Sequence, residues 1–181
     1  MASAAWHNGG MTLPDGPAAE RPAIVVSACL VGIACNHRGE GTVHPGVAAL
    51  RGSARLVPVC PEVAGGLATP RSAAERSPDG RVRTAAGDDV TNLYERGAAH
   101  AVLVARAVKA SQAVLKARSP SCGCGQIFDG SHRRILRPGD GVTAQAMREA
   151  GIEVVSEEDL ESLGQGRAGP VVQPGAAPSS D

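Results

Sequence analysis

Ala23-Ile24-Val25-Val26-Ser27-Ala28-Cys29 is the stretch that decides the fold. Its unbroken apolar, largely β-branched start suits a strand buried on both faces rather than one face of a helix. Three later runs repeat the pattern: residues 55–59, 113–116 and 152–155. Pro58 lacks a backbone N–H, so it either argues against the second run being a strand or places it at a sheet edge. Helical patterns fall between the runs. Residues 45–51 begin at Pro45, which the first turn of a helix accepts. Val90, Leu93, Tyr94, Ala98, Ala101, Val102 and Ala105 recur at helical spacing, with Asp88 or Asp89 as the cap and an end near Ala110. Thr143 caps a helix reaching Ala150, closed by Gly151. Ser156 caps a last short helix, with Glu157 and Glu158 in its first turn. Asp79-Gly80 reads as a hairpin turn, and Asp129-Gly130 and Gly139-Asp140-Gly141 as further turns. Strands alternating with helices predict an α/β fold, with a mostly parallel sheet covered by helices on its faces.

The rest of the chain bounds what this fold can do. Of 181 residues, 1–22 and 165–181 are aperiodic and rich in Ala, Gly and Pro, so both read as disordered tails around one domain, 23–164. Lys+Arg and Asp+Glu are each 18, which argues against a large electrostatic footprint for a polynucleotide. Aromatic residues are only Trp6, Tyr94 and Phe128, too few for a platform that stacks successive bases. No apolar run approaches the roughly 20 residues that span a bilayer. The N-terminus lacks the basic and apolar segments of a secretory signal. A cytoplasmic location follows, and with it reduced thiols.

The five cysteines, Cys29, Cys35, Cys60, Cys122 and Cys124, therefore do not read as a disulfide framework. Cys29 and Cys60 directly follow the first two strands, and Cys122 follows the third after a short turn. Open parallel sheets bind ligands beyond the carboxyl ends of their strands. With neighbouring strands about 5 Å apart, three thiols converge on one small region. Thiolates select soft metals. The absence of a CxxC pair favours an iron–sulfur cluster over structural zinc, while burial as small hydrophobes remains the alternative for each thiol.

Glu62, two residues past Cys60, is placed for general-base work or is simply a helix-start carboxylate. Ser121, beside Cys122, is a candidate hydroxyl donor or a turn former. Gly65-Gly66 and Gly123-Cys124-Gly125 permit close backbone approach to a ligand. No phosphate-binding fingerprint is present. Of the five histidines only His37, in the loop after Cys29, falls near this region.

Ser27-Ala28-Cys29-Leu30-Val31-Gly32, Val57-Pro58-Val59-Cys60-Pro61-Glu62-Val63-Ala64-Gly65-Gly66-Leu67, Thr69-Pro70-Arg71, Ser119-Pro120-Ser121-Cys122-Gly123, Phe128-Asp129-Gly130 and Gly139-Asp140-Gly141-Val142-Thr143-Ala144 together resemble the thiouracil desulfurase family over about residues 23–160. The resemblance implies a Rossmann-like three-layer fold. It also implies a [4Fe-4S] cluster on Cys29, Cys60 and Cys122, and conversion of a thiolated uracil to uracil and sulfide. Its catalytic residues map to Glu62 and Ser121. The substrate class is then a small thiolated nucleobase or nucleoside, and the cluster-assembly machinery is a partner. On this reading an iron left open polarises the C=S bond, Glu62 activates water and Ser121 bonds the ring or passes a proton, with no electron donor required. The rival is a non-catalytic iron–sulfur or zinc protein, such as a redox sensor or assembly module. Two departures from the family stand out: His37-Arg38 replaces a frequent Tyr-Asp pair, and Cys124 occupies a position where many relatives carry another small residue, leaving it a spare thiol or a fourth ligand.

Overall fold

The computed structural model describes residues 21–165. The tails expected at 1–22 and 165–181 fall outside these residues except for 21, 22 and 165.

Four parallel strands form the central sheet: β1 (Ala23–Ser27), β2 (Arg55–Val59), β5 (Gln112–Leu115) and β8 (Glu153–Ser156), in the order β2-β1-β5-β8. Every residue of β1 is buried, as its unbroken apolar run requires. β2 lies at an edge with Pro58 exposed, where a missing N–H costs no ladder bond. Helix α3 (Thr91–Ala107) and helix α4 (Val142–Glu149) pack on one face. The face of α3 turned to the core is built from Tyr94, Gly97, Ala98, Ala101 and Ala105, so small side chains let it lie close to the strands. Helix α1 (Pro45–Ala49), the 3₁₀ turn Leu50–Gly52 and the 3₁₀ turn Leu160–Ser162 cover the other face through Val47, Leu50 and Leu160. The result is the α/β, three-layer architecture that the pattern of elements predicts.

Two small hairpins complete the described residues: β3 (Ala74–Arg76) with β4 (Val82–Thr84), and β6 (Gln126–Phe128) with β7 (Leu136–Pro138). Asp79-Gly80 turns the first, with Gly80 at φ 84°. Asp129-Gly130 begins the turn of the second.

Three boundaries differ from expectation. Thr143 does not cap α4: the N-cap is Gly141, and Thr143 is wholly buried inside the first turn. Ser156 ends β8 instead of starting a helix, and its hydroxyl accepts from Glu158 N at 2.9 Å while buried Glu157 turns inward. Val90, not an aspartate, stands at the N-cap of α3; Asp89 still accepts from Thr91 N at 3.0 Å.

The chain leaves β1 for β2 on one side, then crosses to β5 on the other. The carboxyl ends of β1 and β5 thus form a topological switch point, where a crevice opens in sheets of this kind.

Candidate active site

A cavity of roughly 510 Å³ occupies that crevice. Cys29, Cys35, Cys60 and Cys122 all line it, so four of the five thiols face one space. Cys29 sits in the 3₁₀ turn Ala28–Val31 directly after β1. Cys60 is the residue between β2 and the short helix α2 (Pro61–Ala64). Cys122 is buried in the loop after β5. Cys124 lies apart: it packs half-buried against the core with α3 and α4, and burial raises its thiol to about 11.

The thiols sense one another. Burial first, then the neighbouring Cys60, raises Cys29 above the ordinary thiol range. Burial also raises Cys122, with Glu62, Cys29 and Cys60 adding to the effect. Cys35, hydrogen-bonded to Cys60, is pushed up to about 12 by burial and by that neighbour. Thiols in such surroundings become thiolates when a bound cation supplies compensating charge. Among the described residues, no three His, Cys, Asp or Glu side chains gather tightly enough for a single metal ion. Soft donors spaced around a cavity instead of converging on a point fit a multi-iron cluster held by Cys29, Cys60 and Cys122. Ser27 supports this ring: its hydroxyl accepts from Lys116 N at 2.9 Å, tying β1 to the segment after β5, and its polarity counters part of the upward push on the Cys122 thiol.

Glu62 reaches the same cavity from the first turn of α2. Arg71 Nη2 lies 2.7 Å from its Oε2, and both side chains are nearly buried. Ser119 Oγ stands 3.4 Å from Oε1. Tyr94 lines the cavity beside them, its hydroxyl raised above the phenol range by burial and by the Glu62 charge, so it stays a neutral donor. Lys116 also lines the cavity and pairs with buried Glu157.

Ser121 is elsewhere. Its side chain is wholly buried, its hydroxyl bonds Thr143 Oγ1 at 2.8 Å, and it does not line the cavity. Of the two serines in this turn, the one that lines the cavity is Ser119, which also accepts from the backbone N–H groups of Ser121 and Cys122 at 3.1 Å each. The family resemblance maps the catalytic serine to Ser121, while its residue pattern equally suits a turn former; the turn directs that side chain to α4.

The glycine expectations shift in a similar way. A Cβ on Gly65 would stand 2.0 Å from Leu93 O, and one on Gly123 would stand 2.7 Å from Ser119 O. Both positions serve close packing of backbone on backbone, not approach to a ligand. Arg71 and Ser27 carried no assigned role in the sequence; only their places in the family-like motifs marked them. The two aromatic residues within the described part, Tyr94 and Phe128, both line the cavity. Too few to stack a strand of bases, they can flank one ring. His37 lines the cavity as well, together with Arg38.

Comparison with known proteins agrees with this geometry. The family model described as 2-thiouracil desulfurase matches residues 24–159. A Bacillus subtilis (strain 168) protein, the uncharacterized YbbK, is 38% identical over 149 residues, spanning 77% of this chain and 99% of its own. A solved structure of the [4Fe-4S]-dependent thiouracil desulfidase TudS is 41% identical, with a TM-score of 0.74 over 80% of this chain and 97% of that one.

Proposed function

Because the chain belongs to the 2-thiouracil desulfurase family, we propose that it converts a thiolated uracil and water into uracil and sulfide. The observation that carries this reading is the meeting of three strand-end thiols and Glu62 on one cavity at the switch point. Cys29, Cys60 and Cys122 hold a [4Fe-4S] cluster, supplied by the cluster-assembly machinery. When bound on three thiolates, such a cluster offers an open iron, a soft Lewis acid for the thiocarbonyl sulfur.

The chain's own groups do the rest. Tyr94 and Phe128 hold the pyrimidine ring between apolar surfaces and exclude water from its faces. Glu62 accepts a proton from the water that attacks the ring carbon. Ser119, whose Oγ already accepts two backbone N–H bonds, has its own proton free to donate toward Glu62 or the substrate. Lys116 brings positive charge to a cavity where negative charge grows as the C–S bond breaks. One C=S bond is exchanged for one C=O bond, so no electrons enter or leave.

The test is turnover of thiouracil by anaerobically loaded protein, without reductant and in ¹⁸O-labelled water. The reading expects labelled uracil and sulfide in equal amounts. Cluster-loaded protein that leaves thiouracil intact contradicts it and favours a non-catalytic cluster protein. Turnover only with an electron donor contradicts the hydrolytic step.

A further inference from the structure

Arg71 is more fully engaged than an ion pair requires. A guanidinium has five N–H donors in a rigid fork; here four hydrogen bonds and one further close contact to Glu62 engage all three nitrogens. Nε donates to Glu62 Oε2 at 2.8 Å, and Nη2 stands 2.7 Å from the same oxygen. Nη2 also donates to Cys35 O at 3.0 Å. Nη1 donates to Ala68 O at 3.1 Å and Thr69 Oγ1 at 3.2 Å. The Arg71 backbone N–H reaches His37 O at 2.9 Å, and the side chain is only 7% exposed. With every nitrogen already held by protein acceptors, this group is built to hold structure in place. It is fixed to both walls of the cavity, the loop carrying Cys35 and the loop after α2.

The two oxygens of Glu62 are therefore unequal. Oε2 takes both short, charge-assisted contacts from Arg71, whereas Oε1 stands 3.4 Å from Ser119 Oγ and the neutral Tyr94 hydroxyl is a further neighbour of the carboxylate. We propose that Arg71 is a positioning residue that anchors Glu62 by Oε2 and presents Oε1 as the atom that takes the proton from water. The assignment rests on the desulfuration reading. A carboxylate free to rotate would offer either oxygen at varying distances, and small displacements of a reacting group cost rate steeply.

The experiment uses the full chain, loaded with cluster, as wild type, Arg71→Ala, Arg71→Lys, Glu62→Gln and the Arg71→Ala/Glu62→Gln double variant. Iron and sulfide content, kcat and KM for thiouracil are measured, together with labelling of Glu62 by a carbodiimide and an amine, read by peptide mass. Arg71→Ala should retain iron, lose kcat by about a hundredfold and keep KM. In the Glu62→Gln background the same change should cost nothing further, because the anchored carboxylate is already gone. Guanidinium ion should restore part of kcat in Arg71→Ala but not in the double variant. Labelling of Glu62 should rise in Arg71→Ala and fall again with guanidinium. Equal losses in both backgrounds, rescue without Glu62, or unchanged labelling would overturn the proposal. If Arg71→Ala loses iron, Arg71→Lys decides: it keeps the charge but not the two-pronged grip, so wild-type kcat there overturns the assignment and a lowered kcat supports it. Wild-type protein inert toward thiouracil sinks the desulfuration reading, while the labelling arm still judges the anchor.

Discussion

Ser119 and Ser121 flank one proline and meet opposite surroundings. The Ser119 hydroxyl faces Glu62 and the cavity, while the Ser121 hydroxyl is buried against Thr143. Ser121→Ala strands the Thr143 hydroxyl in the interior and should lower unfolding stability by about 1–3 kcal/mol in denaturant titration, leaving kcat near wild type. Ser119→Ala should do the reverse, cutting kcat with a smaller stability loss. Equal kcat losses in the two variants would return the catalytic role to Ser121. Glu62→Gln keeps shape and removes the base; activity should fall by about 10²–10⁴ with iron content unchanged. Which serine faces the cavity was not legible in the sequence, because neither strand nor helix periodicity extends through a Ser-Pro-Ser turn to say which hydroxyl points where. Glu62 was legible from its place just beyond a strand end. The part proposed for Arg71 needed its four side-chain hydrogen bonds and its ion pair to be seen.

Between elements, the decisive contact is α2 on α3. A Cβ on Gly97 of α3 would lie 2.0 Å from Pro61 O, the first residue of α2. Cys60 precedes that residue and Glu62 follows it, so any displacement of α2 moves the proposed cluster ligand and the proposed base together. Gly97→Ala should therefore lower both thermal stability and iron per chain. A variant with full iron and an unchanged midpoint would show that α2 slides freely. The four strands of the central sheet were readable because their apolar, β-branched runs suit little else, and α3 because its apolar residues recur over many turns. α2 entered the sequence reading only as one alternative, a helix start at Glu62, because four residues give no period. Ser156 was misread because a serine followed by acidic residues has the chemistry of a helix cap, yet here Glu157 turns in to bond Lys116 and Ala117 N.

For the whole molecule, one topological fact organises the rest. Parallel strands in the order β2-β1-β5-β8 place three chain segments, far apart in sequence, at one rim. No local motif spaces Cys29, Cys60 and Cys122; the sheet does. This explains why spacing alone left burial as an alternative for each thiol, and why strand positions and the family-like motifs were both needed to single out the three. The two hydrophobic clusters lie within residues 23–163. A shortened chain spanning residues 22–164 should accordingly fold and retain its cluster; insoluble or iron-free protein would show that the ends contribute to the core. The claim on which everything else depends is the ligand set, and iron content after anaerobic loading tests it most directly. Wild type, Cys35→Ala and Cys124→Ala should each hold about four irons per chain, whereas Cys29→Ser, Cys60→Ser and Cys122→Ser should each fail to keep the cluster. Full iron in any one of the last three, or its loss from Cys124→Ala, would contradict the account.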